Sequence, residues 1–158
     1  MTDHTHTTPV MATRDGLPAA VAALDRIMRE GFMTGDVSVV DDLCAPDLVE
    51  HQFGLAGSAS QAIEHVKDAI RDVHAMMPDS SVELADWAVR DDTAWCRFVV
   101  SGTQTGPFFG PPSGCPVTLT VIDVARVVEG RIVEHWGVPD RFAILAQAGL
   151  LQRLAPTT

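Results

Sequence analysis

The chain has 158 residues, 46% of them hydrophobic, which is enough apolar material for a packed core and too much for a disordered chain. Its 11 basic and 21 acidic residues leave a net charge of −10, a sign that repels phosphate backbones and anionic lipid and so excludes nucleic acid and membrane surfaces as expected partners. No apolar run reaches the roughly eighteen residues that a membrane-spanning helix needs.

The first element follows a start rich in Thr, His and Pro. Residues 1–15 are expected to be a loose tail with no signal peptide, and His4 and His6 in it to be solvated rather than metal-bound. Residues 17–32 place Val21, Leu24, Met28 and Phe32 at helical spacing, with Pro18 suited to a first turn. DVSVVDDLC predicts a short second helix that Pro46 stops. DLVEHQF, residues 47–53, is too short for a helix and reads as a small strand. Ser58 and Gln61 have capping-box spacing, and the helix behind them repeats Ile63, Val66, Ile70, Val73 and Met77 before Pro78 ends it. His65 and His74 fall off that stripe and are expected to face solvent.

After Pro78 the period changes from helix to strand. SVELADWAV and TAWCRFVVSGT read as two strands around a tight turn, and TGPFFGPPSG as a long loop. CPVTLTVIDVARVV is a long strand, returned through Glu129-Gly130 by RIVEHWGV. Asp140 is a candidate N-cap for a last short helix. Helices first and strands after mean an α+β domain over residues 16–152, with a second tail at 153–158. The three cysteines, Cys44, Cys96 and Cys115, include no CxxC pair, and an odd number without a secretion signal predicts reduced thiols in the cytoplasm.

Polar residues inside apolar strands are the candidates for chemistry. Asp123 interrupts TVIDVA, where an unpartnered carboxylate is costly. A three-residue turn with a glycine bulge at Gly130 would set it directly across from His135, and Ala125 across from Val133. A plain two-residue turn would set Asp123 across from Trp136 instead. The bulged register is the one expected here, with Ile132, Glu134 and Trp136 on the opposite face, Glu134 diagonal to Arg126 as an ion pair, and Trp136 a possible dimer contact. A desolvated carboxylate beside an imidazole suits proton abstraction next to a carbonyl, and suits equally a buried polar pair that only fixes strand register. His51 reads either as a pocket-mouth residue or as a surface histidine, with Glu50 alternating to the other side. Arg97 in WCRFVV is suited to an enolate oxygen or carboxylate, or to an ion pair with a neighbouring strand. Gln104, Phe108 and Phe109 belong to the loop, where the rings either cover a flat ligand or plug the core.

The order ααβαββββα, with GTQTGPFFGPPSGCPVTLTVIDVARVVEGRIVEHWGVPD and a terminal helix ending AQAGLL, resembles the SnoaL-like polyketide cyclases of the nuclear transport factor 2-like superfamily. The resemblance implies a cone, a curved antiparallel sheet wrapped around helices, with an apolar pocket at its wide end. It implies dimerisation through the convex sheet face, and ring closure of a hydrophobic polyketide by intramolecular aldol condensation without metal or organic cofactor. Relatives in the wider superfamily isomerise, hydrate or only bind ligands, so an isomerase, a hydratase and a non-catalytic binding module stay open. One departure matters. The ring-closing members carry an acid/base Asp two residues after the His of the last strand, and here that position is Gly137, which would leave room for a bulkier ligand. Asp123 matches their pocket His on the preceding strand. On this reading Asp123 is the base, His135 tunes it, and His51 with Arg97, Gln104, Phe108 and Gly137 completes the substrate site.

Overall fold

The computed structural model describes residues 16–151, so both expected tails lie outside the described residues. Helix α1 (Ala19–Arg26) runs directly into a π-helical segment, Ile27–Phe32, followed by α2 (Ser38–Leu43), β1 (Cys44–Glu50), β2 (Gly57–Ser58) and α3 (Ala59–Met76). Strands β3 (Ser81–Arg90), β4 (Thr93–Thr103), β5 (Pro116–Val128) and β6 (Arg131–Pro139) follow, and α4 (Arg141–Gln147) closes the fold. Among the described residues no helix is long and apolar enough to cross a membrane.

The strands form one curved, unclosed sheet in the order β2-β1-β6-β5-β4-β3. The α+β cone is therefore present, with six strands rather than the meander of four plus one short strand that the sequence predicts. The addition is β2, two residues paired with the end of β1; β1 itself, the expected short strand, starts at Cys44 instead of residue 47 and lies parallel to β6 across a register irregularity that accommodates Pro46. A parallel partner so distant in sequence leaves no local signal.

Alternation along β4 and β5 builds the inner wall. Ala94, Cys96, Phe98 and Val100 point inward from β4, and Val117, Leu119, Asp123 and Ala125 from β5. Helix α3 closes over them with Ala62, Val66 and Ile70, and Phe98 and Ile70 have no exposed surface. The 104–115 loop is tied to the end of α3, where the N–H groups of Thr105 and Gly106 both donate to Met76 O at 3.0 Å. A Cβ on Gly106 would collide with the Ala75 backbone, so only glycine permits that approach. Asp140 caps α4 as expected, accepting from Ala143 N at 2.9 Å, whereas Ser58 makes no side-chain cap for α3.

The β5–β6 register corrects the expected one. Glu129 (φ 50°) and Gly130 (φ 78°) form a two-residue turn of the primed kind, so there is no bulge in the turn itself. The extra residue is Val133, inside β6, where the ladder steps from Val127↔Ile132 to Arg126↔Glu134. Asp123 consequently lies across from Gly137 and Ala125 across from His135. Ile132 turns inward and is buried, and Arg126 meets Glu134 directly, at 3.2 Å, rather than on the diagonal.

Candidate active site

Between the inner sheet face and the helices lies a cavity of about 670 Å³, a volume suited to a small organic ligand. Its walls are mainly apolar, with Leu24, Met28, Val66, Leu119 and Ile144 contributed by five different elements. Three titratable side chains meet on its wall. Glu50 ends β1, Asp123 is central in β5, and His135 is central in β6. Glu50 and Asp123 are only 2% and 5% exposed.

His135 stands between the two carboxylates. Its Nδ1 is 2.8 Å from Glu50 Oε2, and its Nε2 is 3.4 Å from Asp123 Oδ1. The parallel β1–β6 ladder makes Glu50 the Cα partner of His135, while Asp123 reaches it diagonally across β5–β6. Glu50 Oε1 is held in turn by Gln52 N at 2.8 Å. Burial alone would lower the pKa of His135, but hydrogen bonds and charge from Asp123 and Glu50 outweigh it and push the value up to about 10. At neutral pH the ring is therefore an imidazolium that donates one N–H toward each carboxylate. A protonated His135 has no lone pair for a proton, and its positive charge opposes the cost of burying the two acids beside it.

Glu50 is the member that the sequence reading missed. Alternation placed it opposite His51, correctly, but nothing local revealed the distant imidazolium that it meets.

The remaining candidates separate by strand parity. His51 does not reach the cavity: it sits on the outer face, stacked on Trp136 with ring centroids 4.6 Å apart, and its Nε2 lies 3.0 Å from Glu134 Oε1. Arg97 is also outward and exposed, because its neighbours Cys96 and Phe98 take the inner positions of β4. Gln104 is fully buried but serves its own loop, donating to Gly106 O at 2.8 Å and accepting from Ser113 N at 3.0 Å. Phe108 does line the cavity, packed edge-on against Phe109. His65 and His74 are not solvent-facing: His65 Nδ1 bonds Leu55 O at 2.8 Å, and His74 packs beside Gly35.

Gly137 leaves no spare room. A Cβ there would collide with Gln52 Oε1 and come within 3.1 Å of Asp123 Oδ1. The carboxamide of Gln52 thus fills the space that a side chain at position 137 would claim. Cys44 and Cys96 are free and buried, and burial pushes both thiols up to about 12, so neither is a thiolate nucleophile. Among the described residues no cluster of His, Cys, Asp and Glu has the geometry to hold a metal ion.

A family model described as SnoaL-like polyketide cyclase matches residues 22–148, and the chain belongs to that family. Solved structures agree. IdmH from Streptomyces antibioticus, a candidate polyketide cyclase, is 33% identical, with 82% of this chain and 98% of that chain covered at a TM-score of 0.69. TsrD from Streptomyces laurentii is 27% identical, with 82% and 96% covered and a TM-score of 0.69. A candidate SnoaL-like polyketide cyclase from Jannaschia sp. CCS1 is 21% identical and supports the fold, with 96% and 98% covered and a TM-score of 0.74. No curated protein matches the chain.

Proposed function

We propose that the protein is a cyclase-type enzyme that closes a ring in a hydrophobic, polyketide-like substrate by acid/base chemistry. The observation that carries this reading is a carboxylate, Asp123, lining an apolar cavity with a buried imidazolium beside it. In the proposed step Asp123 removes a proton from a carbon flanked by carbonyl groups. The positive charge of His135 opposes the negative charge developing on the enolate, and Glu50 holds the ring in place. The enolate carbon then attacks a second carbonyl of the same folded molecule, and Asp123 returns the proton to the resulting alkoxide. The walls contribute by holding both ends of the substrate in reach, because the reaction is intramolecular.

The same proton transfer, without carbon–carbon bond formation, would serve an isomerase. A non-catalytic binding module is the second reading, favoured by Gly137 at the position where ring-closing relatives carry their acid/base aspartate. Incubation with aromatic polyketides, as free acids and as esters, followed by chromatography and mass spectrometry, separates these readings. The cyclase reading expects a ring-closed product that disappears in Asp123→Asn. Tight binding with the ligand recovered unchanged would establish the module instead.

We also propose a homodimer through the outer sheet face. Trp95 and Trp136 lie there on either side of Val124 and are each about 40% exposed, which is uncommon for a face left in water. Sedimentation of the Trp95→Lys variant as a monomer, beside a wild-type dimer, is the expected result. An unchanged sedimentation coefficient would count against this interface.

A further inference from the structure

The charges on the cavity wall are distributed unevenly. The buried cluster on β1, β5 and β6 holds two carboxylates against one imidazolium, so it is net negative, and both N–H groups of that imidazolium are already taken. Among the described residues, Arg141 is the only other cation lining the cavity. It sits beside the rim residue Phe53, itself 87% exposed, and gives a 3.3 Å hydrogen bond to the Phe53 carbonyl. Most described cations are engaged by carboxylates, among them Arg26 by Glu30, Arg29 by Asp25, Lys67 by Asp41 and Arg126 by Glu134. Arg141 makes no ion pair among the described residues. Asp72, exposed on α3, also lines the cavity, yet no such pair joins the two.

We infer that the ligand carries an anionic end group, a carboxylate in the simplest case, which Arg141 receives at the mouth of the cavity. This rests on the cavity being the substrate site. A guanidinium with several unused N–H groups matches a carboxylate as a planar fork. The carboxylates of Glu50 and Asp123 repel the same group. Together the guanidinium and the carboxylates orient the molecule, with the anion at Arg141, the apolar body along the walls and a neutral carbonyl region beside Asp123. The consequence for substrate class is specific. A free acid binds in one direction, whereas its neutral ester or amide loses both the attraction and the orientation.

Calorimetric titration of anthraquinone-2-carboxylate and of the neutral anthraquinone-2-carboxamide tests this. Because Arg141 is partly exposed, a preference for the carboxylate of about fivefold is expected, shrinking as salt is raised. Arg141→Gln should abolish the preference and leave the affinity for the amide within about twofold, while Arg141→Lys should retain part of it. Equal affinities in the wild type, or a preference that survives Arg141→Gln, would overturn the inference and leave the cyclase reading untouched. Failure of both probes to bind would overturn the inference and the cavity reading together.

Discussion

The two faces of β6 carry nearly the same chemistry in different surroundings. Inward, His135 meets Glu50 and Asp123; outward, the adjacent Glu134 meets His51 and Arg126. The inner group is almost sealed, and its imidazole is pushed far above the usual histidine range. The outer group is open: the side chains of His51 and Arg126 are 38% and 41% exposed. There, hydrogen bonds from His51 and then from Arg126 lower the pKa of Glu134. Burial, rather than the identity of the pairs, is what shifts the titration of one set so far and leaves the other a surface contact.

The comparison breaks most sharply at Glu50. Glu50→Ala strips a buried imidazolium of its shortest contact and should destabilise the fold by about 3–5 kcal/mol in urea denaturation. A loss below about 1 kcal/mol would mean that water readily replaces the carboxylate. Next in size is Asp123→Asn, for which a fall in turnover of about a hundredfold or more is expected with the fold intact, against less than about threefold for His51→Gln. Comparable losses in the two variants would erase the distinction between the faces.

Gly137→Ala should cost about 1–3 kcal/mol through the collision with Gln52, and the added change Gln52→Ala should recover most of it, again by urea denaturation. An absence of rescue would show that Gln52 is not the obstacle.

The pH dependence of stability sharpens the contrast. The folded-state pKa of His135 is raised from an ordinary 6.5 to about 10, so its contribution is fully present below about 6.5 and declines as the pH climbs toward 10. Denaturation midpoints measured from pH 6 to 10 should fall across that interval, and the slope should flatten in Asp123→Asn. The smallest effect belongs to Glu134→Gln, whose change in melting temperature should be well below that of Glu50→Ala.

Much of this was legible in the chain, and the remainder was hidden for identifiable reasons. The shift from helical to alternating periodicity at Pro78 located the sheet, and the cost of a carboxylate inside TVIDVA singled out Asp123. Its meeting with His135 was anticipated through the wrong register. The extra residue lies in the strand at Val133 rather than in the turn, and nothing in RIVEHWGV distinguishes the two. Arg97 could have been turned outward from the parity of Cys96 and Phe98 alone. Glu50 was recoverable only as the residue facing away from His51, because its partner comes from the far end of the chain along a parallel pairing.

That parallel pairing of β1 with β6 also dictates when the site can exist. Glu50 leaves the ribosome long before Asp123 and His135, and its charge has no buried partner until the last strand docks beside the first. The nascent chain therefore holds an acid that cannot be comfortably sealed, and the cluster of Glu50, Asp123 and His135 completes itself only with the closing step of folding.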